Sequence, residues 1–398
     1  MFPMSMLSKK LVSFLTMTAL LAAMGGCRGL NVSSNPPPGA GGPLPETQSP
    51  VKRVIVIIMQ NRSFDNLFGT FPGANGIQPG VAGFNQTTSD GTQVSPHELT
   101  SADTSDLLHG RDDYITMWNN GAMNRFAFVN GELAMGYYDD STDGVDELWS
   151  WASQYALADN YFAAVMSNAP ANPLYLVAAA DNNFVFSVKP AFGPCNDPDP
   201  NAQPYTFQNV GDQMNSNNVA WGWYHERYGE CSDYVEQQNP FQYFQSTQNS
   251  ANLMSLESFD AQLADGNLPP VAFVQPAPSH TGHPGSGSVT AAFKWLDGFI
   301  KDIQNSSIWP ETAIVVVWDE SGGWWDHVAP AQIDSQGRGP RVPMMVISPH
   351  AKQGYISSVA MDHVSILRWI QWNWGLGRLN ARNNHGGDTI ELNDMFNF

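Results

Sequence analysis

Uninterrupted apolar runs and segments of helical periodicity alternate along this chain. Five apolar runs predict strands buried on both faces, at residues 51–59, 219–224, 271–274, 313–318 and 342–347. Three segments with apolar residues three and four positions apart predict helices, at residues 146–158, 291–305 and 362–374. The helix at 291–305 leads into the strand at 313–318, which is half of a βαβ unit. The pattern therefore predicts an α/β fold, with a mostly parallel central sheet flanked by helices.

The first fifty residues have a different character. Residues 1–27 place Lys9 and Lys10 before an apolar run that ends at Gly25-Gly26-Cys27, the order of an export signal. Cys27 also resembles the lipidated cysteine of bacterial lipoproteins, so lipid anchoring and simple cleavage both remain open. Residues 28–50 are rich in Pro, Gly and Ser and predict a flexible tether. We expect an exported protein, periplasmic, surface-anchored or secreted, with one domain at residues 51–398.

The net charge of the chain limits the classes of binding partner, and its cysteine content predicts a disulfide. The net charge is −19 with 18 basic residues, which argues against nucleic acid as a partner and against docking on anionic lipid. Membrane attachment is then expected only through a lipid at Cys27. An acidic protein does suit a site built around a cation. Cys195 and Cys231 are the other two cysteines, and in an exported chain we expect them to form a disulfide.

Oxygen-bearing side chains follow two of the predicted strands. Asp319 and Glu320 come directly after the run at 313–318, and Gln60 and Asn61 follow the run at 51–59. Each pair alone is more typical of a solvated turn. The carboxyl ends of parallel strands lie at the same edge of a sheet, however, so the two pairs are expected to meet there. Amide and carboxylate oxygens suit one divalent metal ion, whose identity the sequence leaves open.

Six ordered segments resemble a known family. They are the segments at residues 59–76, 118–123, 155–162, 268–284, 318–328 and 339–349. The first resembles the ENRSFD…G opening, and the fifth the DE.GG.YDHV motif, of a bacterial phosphoesterase family that includes non-haemolytic phospholipases C and a periplasmic acid phosphatase. The resemblance covers nearly all of residues 51–398.

This resemblance implies an alkaline-phosphatase-like core and hydrolysis of phosphate esters, either phosphomonoesters or phospholipids. It implies that Asn61, Asp319 and Glu320 lie on the metal side of the site, while Gln60 stands where the family has Glu. His109, His283 and His327 match positions expected in the site, where they would hold the phosphate or protonate the leaving oxygen. The oligomeric state is left open.

The chain departs from the family at the nucleophile. Alignment without a gap places Ala169 where the family has a hydroxyl, and an alanine cannot attack phosphorus. Three readings remain open: Ser167 attacks instead, a metal-bound water attacks, or the ancestral chemistry has been lost. The alternative to a hydrolase is therefore a catalytically altered relative that binds a phosphorylated ligand. By itself, Ser167 is more typical of a turn or a helix cap.

Other polar residues are less informative. Arg341 is suited either to reach a phosphate or to anchor a loop through a salt bridge, and the sequence leaves both open. His225 and His363 have no counterpart in the family, and we predict that they are surface or ordinarily hydrogen-bonded residues.

Overall fold

A computed structural model describes residues 42–168, 170–181, 190, 193–195, 202–385 and 387–398. Its strands are β1 (Arg53–Met59), β2 (Gln86–Thr87), β3 (Gln93–Val94), β4 (His97–Glu98), β5 (Gly136–Tyr137), β6 (Ala156–Ala158), β7 (Tyr161–Phe162), β8 (Trp221–His225), β9 (Leu253–Ser255), β10 (Val271–Gln275), β11 (Thr312–Trp318), β12 (Met344–Ile347), β13 (Tyr355–Ser357) and β14 (Met361–Asp362). Its helices are α1 (Phe64–Phe68), α2 (Arg111–Trp118), α3 (Phe126–Asn130), α4 (Val145–Gln154), α5 (Ala171–Ala178), α6 (Val210–Ser216), α7 (Leu256–Ala264), α8 (Val289–Gln304) and α9 (His363–Asn373).

Within the described residues, eight strands form the central sheet in the order β13-β6-β12-β11-β1-β10-β8-β9. Strand β12 is antiparallel to both of its neighbours, β11 and β6, and the other pairings are parallel. The prediction of an α/β fold with a mostly parallel sheet is confirmed.

The centre of the sheet explains why the apolar runs are unbroken. Every residue of β1 and of β11 is buried, so an alternating pattern of polar and apolar residues would place polar groups in the core. Helix α4 packs against α8, and α5 packs against α9. These helices bury their apolar residues in the same core as the sheet.

One predicted helix is wrong at its end. The helix expected at residues 146–158 stops at Gln154, and Ala156–Ala158 forms strand β6. The pairing of β6 with β12 and β13 outweighs the local helical pattern, because sheet hydrogen bonds satisfy the backbone there. The other two helices match their predictions closely, as α8 and α9.

Two further expectations concern the periphery. Cys195 and Cys231 form the expected disulfide, with their Cα atoms 5.1 Å apart. At the end of the predicted tether, the backbone N–H and hydroxyl of Ser49 donate to the side chain of Asn373 at 3.1 and 2.7 Å. Cys27 lies outside the described residues. In the part of the chain that the structure describes, no helix combines the length and the apolar character needed to cross a bilayer.

Candidate functional site

The ends of β1 and β11 lie side by side, as predicted. The two strands are parallel, and their register places Met59 opposite Trp318. Beyond the strands, the Asp319 N–H donates to the Met59 carbonyl at 3.0 Å, and the Arg62 N–H donates to the Glu320 carbonyl at 3.1 Å. The two loops therefore leave the sheet together and bring Asn61, Asp319 and Glu320 to one place.

We call Gln60, Asn61, Asp319 and Glu320 the strand-end cluster. All four residues are buried. Oδ1 of Asp319 accepts from the backbone N–H groups of Asn61 and Glu320 at 3.1 and 2.7 Å. Oε1 of Glu320 accepts from the Asn61 side-chain amide at 2.9 Å. The other atom of this amide group, Oδ1 of Asn61, is a buried acceptor with no hydrogen-bond partner.

The carboxyl group of Asp319 is buried beside that of Glu320, an arrangement that disfavours its ionised form. Burial raises the pKa of Asp319 well above its usual range, and the charge of Glu320 raises it further. The second oxygen of Glu320 accepts from the Gly322 N–H at 2.7 Å and from the Tyr114 hydroxyl. These donors are neutral, so they would offset only part of the cost of ionising both buried carboxyl groups, and the raised pKa of Asp319 reflects that cost.

His109 lies next to this cluster. Its Nε2 is 3.5 Å from Oε1 of Glu320 and 3.3 Å from the Asn61 side-chain nitrogen, while its Nδ1 contacts the Leu107 carbonyl. Burial alone would lower the pKa of His109, but the charges of Glu320 and Asp106 outweigh burial and raise the pKa. The imidazole is thus held beside the carboxylates in an environment that favours its protonated form.

His283 reaches the same region on a loop that is tied to the end of β1. The Gln60 N–H donates to the Thr281 carbonyl at 3.0 Å, and Nε of Arg62 donates to the Gly282 carbonyl at 3.1 Å. The His283 ring lies 6.3 Å from the His109 ring, centroid to centroid. The structure therefore brings both histidines, predicted separately from the sequence, to one edge of the sheet.

A Gly-Gly turn allows these loops to approach one another. Gly322 and Gly323 both have positive φ, at 62° and 78°. A Cβ atom on Gly322 would lie 2.4 Å from the Asn61 carbonyl oxygen, and one on Gly323 would lie 2.6 Å from the Leu108 carbonyl oxygen. Only glycine permits both the conformation and the contact. The turn therefore holds the loops that carry Asn61 and His109 against Glu320.

His327 belongs to a different network. We call Asp65, Asp326, His327 and Arg341 the arginine cluster. Oδ2 of Asp65 accepts from Nδ1 of His327 at 2.7 Å. Arg341 donates through Nε to Asp326 at 3.0 Å and through a terminal nitrogen to Asp65 at 2.8 Å. Arg341 is fully buried, and this network shows that it anchors the loops, one of the two roles that the sequence left open.

Two pKa shifts mark this second network. Burial raises the pKa of Asp326 to about 6, although Arg341 opposes the shift. For His327, burial lowers the pKa, but the hydrogen bond and charge of Asp65 outweigh burial and raise it. Nε2 of His327 lies 3.2 Å from the Asn75 side-chain oxygen. The catalytic role of His327 remains a prediction.

Residues 166–168, which include Ser167, lie near the start of α2. Ser167 is half-buried, and its hydroxyl is 3.5 Å from the Asn168 side-chain oxygen. Arg111, two residues after His109, donates to the carbonyl of Met166 at 3.4 Å. Ala169 lies outside the described residues. The role of Ser167 as nucleophile also remains a prediction.

Sequence reasoning missed two residues around the strand-end cluster. They are Tyr114, whose hydroxyl donates to Glu320, and Asp106, whose carboxylate is 3.7 Å from Nδ1 of His109. His363 also lies beside the cluster, and it is an ordinarily hydrogen-bonded residue, one of the two possibilities predicted for it. His363 is buried, with Nε2 2.7 Å from the Asp319 carbonyl and Nδ1 2.8 Å from the Tyr161 hydroxyl. The three-residue spacing of Asp106 and His109 was the one available signal.

Comparison with known proteins identifies the family. Residues 51–377 match the model of the Phosphoesterase family. The chain belongs to this family. Among relatives of the chain, the non-hemolytic phospholipase C of Pseudomonas aeruginosa is 25% identical, over 87% of this chain and 57% of the other. The chain is 24% identical to phospholipase C B of Mycobacterium tuberculosis over 90% of this chain and 80% of the other.

The family includes relatives with other names. The chain is 28% identical to an acid phosphatase of Aspergillus fumigatus over 64% of this chain and 56% of that protein. It spans little more than half the length of two non-hemolytic phospholipases C, 57% and 55%.

Solved structures give weaker matches. A protein of the alkaline phosphatase superfamily from Vibrio parahaemolyticus matches with a TM-score of 0.39 and 9% identity, over 77% of this chain and 73% of that one. A phosphonate monoester hydrolase of Agrobacterium radiobacter matches with a TM-score of 0.40 and 10% identity, over 85% and 78%. Similarity at this level assigns no activity to the chain.

Proposed function

We propose that this phosphoesterase hydrolyses phosphate esters outside the cytoplasm, at a divalent-cation site formed by the strand-end cluster. The observation that carries the proposal is the side-chain oxygen of Asn61, which is buried without a partner beside the carboxylates of Asp319 and Glu320. A buried acceptor next to two acids is a costly arrangement in the absence of a cation.

The donor set fits a hard divalent ion. Asn61, Asp319 and Glu320 offer oxygen atoms, and Gln60 offers an amide oxygen where the family has a carboxylate. The substitution by Gln60 removes one negative charge, so weaker metal affinity is expected than with Glu. When bound, the cation would offset the negative charge that builds on the non-bridging oxygens of the reacting phosphate.

His109 and His283 supply the proton chemistry in this proposal. His109 favours its protonated form, so its ring is suited to donate a hydrogen bond to a phosphate oxygen. His283 lies on the neighbouring loop and is suited to protonate the leaving oxygen as its bond to phosphorus breaks. We retain His327 as a catalytic candidate, held by Asp65 in the adjoining network.

Two routes for the attacking oxygen remain in the proposal. In the first, the Ser167 hydroxyl forms a bond to phosphorus, the alcohol departs with a proton, and water then releases phosphate from the serine. In the second, water attacks phosphorus directly and no covalent intermediate forms. The contact between Arg111 and the Met166 carbonyl supports the first route, because it joins the residue before Ser167 to the loop that carries His109.

The substrate is proposed from the relatives. They are named phospholipases C and an acid phosphatase, so a phosphomonoester or a phospholipid would be hydrolysed by this chain. Export follows from the N-terminal signal, and a lipid at Cys27 would hold the protein at a membrane.

The test is the release of product from a chromogenic phosphomonoester, a chromogenic phosphodiester and phospholipid vesicles. Purified protein is assayed with a divalent ion, with a chelator, and as the Asp319→Ala variant. Asp302→Ala is the matched control, because Asp302 is an exposed acid on α8. Activity that depends on the ion and on Asp319, but not on Asp302, supports the proposal. Background rates in every sample would refute it.

The second candidate is a relative that binds phosphorylated ligands without hydrolysing them. Ala169, at the position of the family's hydroxyl, favours it. Calorimetric titration of the metal-loaded protein with inorganic phosphate separates the two candidates. Phosphate binding that depends on Asp319, together with no turnover of any ester, would establish the binding function.

A further inference from the structure

A second group of metal-ligand side chains lies beside the strand-end cluster. Asp106, His109 and His283 each place one ligand atom so that the three atoms lie within 4.8 Å of one another. The loops that carry them are joined, because the Gly285 N–H donates to the Thr104 carbonyl at 2.8 Å. We call these three residues the histidine triad.

The triad differs from the strand-end cluster in its chemistry. Two imidazoles and one carboxylate are a ligand set that suits Zn²⁺, and three protein ligands leave one coordination position open. The strand-end cluster offers oxygen atoms alone, which suit Ca²⁺, Mg²⁺ or Mn²⁺. The triad is also more accessible, since the Asp106 side chain is 47% exposed whereas that of Glu320 is fully buried.

The surroundings of both rings also suit ligation. Nδ1 of His283 is 2.7 Å from the Pro284 carbonyl, an acceptor that fixes the proton on Nδ1 and leaves Nε2 free to bind a cation. Nδ1 of His109 likewise contacts a backbone carbonyl, that of Leu107, which leaves Nε2 to bind a cation. Asp106 lies 3.7 Å from Nδ1, and Glu320 lies 3.5 Å from Nε2.

Among the described residues, one other group of three acidic and histidine side chains lies equally close together. It consists of Asp65, Asp326 and His327, in the arginine cluster. There the guanidinium of Arg341 already contacts both Asp65 and Asp326, so a positive charge is in place. No ion pair with a Lys or Arg side chain involves the histidine triad in the described part of the chain. The comparison favours the triad as the group that takes a metal ion.

We propose that Asp106, His109 and His283 form a second cation site that takes Zn²⁺, in addition to the oxygen-lined site of the strand-end cluster. Binding there needs no ester, so the inference goes beyond hydrolysis. It has a consequence for the proposed reaction, because an imidazole that binds zinc can no longer donate a proton. Zinc at the triad therefore inhibits any step that uses His109 or His283.

The test is calorimetric titration of metal-free full-length protein with ZnCl₂. We expect Asp106→Asn and His283→Gln to weaken zinc binding by roughly tenfold or more, because each removes a ligand. His350→Gln is the matched control, because the His350 ring contacts the Pro310 carbonyl away from both sites. Circular dichroism checks that each variant is folded.

A second variant and a crystallographic measurement keep the two proposals distinguishable. Asp319→Asn impairs the strand-end cluster but should retain zinc binding, even if no hydrolysis is ever found. Anomalous scattering at the zinc edge, from crystals of the unaltered protein, should show a peak between the triad residues. A zinc peak at Asp319 and Glu320 alone, or unchanged binding by His283→Gln, would overturn the inference.

Discussion

The strand-end cluster and the arginine cluster are built from similar residues, yet their charges are balanced differently. Asp326 and Asp65 share the guanidinium of Arg341, which donates to them at 3.0 and 2.8 Å. Asp319 and Glu320, a few residues earlier in the same loop, accept from neutral backbone N–H groups, an amide and a phenol. Arg341 gives the first network a permanent positive charge, whereas the second has beside it the titratable ring of His109.

From this difference we predict that Asp65 and Asp326 serve the fold and that Asp319 and Glu320 serve the proposed reaction. Buried carboxylates without a cation cost stability, and natural proteins retain such costs mainly at sites of function. A buried pair that is fully hydrogen-bonded to arginine instead fixes the loops around it. Substitutions in each cluster should therefore affect different properties, stability in the arginine cluster and activity in the strand-end cluster.

The largest effect is expected from Arg341→Met. The change leaves Asp65 and Asp326 buried without their cation, so we expect a loss of about 3–5 kcal/mol in the free energy of unfolding. Urea denaturation measures it. Arg111→Met is the control, because the Arg111 side chain is exposed and makes one long bond. Equal free energies of unfolding for the Arg341 variant and the unaltered protein would mean that the arginine cluster does not stabilise the fold.

Asp319→Asn should lower activity and leave the stability of the metal-free protein intact. We expect activity to fall by roughly a hundredfold or more, because the cation site loses a charged ligand, while the metal-free protein is no less stable. The measurements are kcat/KM on the chromogenic ester and urea denaturation in chelator. A large loss of stability with intact activity would place Asp319 in the structural class with Asp326.

His225 is a buried titratable group at the end of β8 that serves as a reference. Among the described residues, no charged group contacts its ring nitrogens. Its Nδ1 accepts from the Arg227 N–H at 2.9 Å, and burial lowers its pKa to about 3. The unfolded chain takes up this proton near pH 6.5, so stability is full above that value. Stability then falls with pH until the folded state also binds the proton, near pH 3.

His225→Gln should remove this dependence. Between pH 6.5 and pH 5 the unaltered protein should lose about 2 kcal/mol more than the variant. Thermal unfolding across this range measures the difference. Parallel pH profiles for the two proteins would show that His225 is charged in the fold or is not buried.

The smallest expected effect is stabilisation by the cation itself. At ten times its dissociation constant, a divalent ion should add about 1.4 kcal/mol to the stability of the unaltered protein and almost nothing to Asp319→Asn. Differential scanning calorimetry with and without the ion measures both. An equal gain in the two proteins would mean that the ion binds outside the strand-end cluster.

The sequence was most informative where one physical constraint acts on many residues. Runs such as β1 and β11 are apolar at every position because the sheet is covered on both faces, and the parallel rule then brought Asn61 to Asp319. The end of α4 was predicted wrongly, because the strand partners of β6 lie about 190 residues further along the chain and exert no local signal.

The individual side-chain contacts of the site could not be predicted from the sequence. The resemblance pointed to His327 as a member of the site, but its partners depend on how Asp65 and Arg341 pack, which no spacing reveals. Tyr114 and Asp106 lie in a region without long periodic elements, and the spacing of Asp106 from His109 was the one signal there. Loop contacts set by side-chain packing are the part that required a structure.

The register of β1 against β11 also determines when the site can exist. Asn61 and Asp319 are separated by 258 positions along the chain and become neighbours only when these two strands pair. A growing polypeptide that ends before Asp319 holds Gln60 and Asn61 but neither of the acids beside which Asn61 lies in the fold. The strand-end cluster therefore forms only after the chain has been made past Glu320 and β1 has paired with β11.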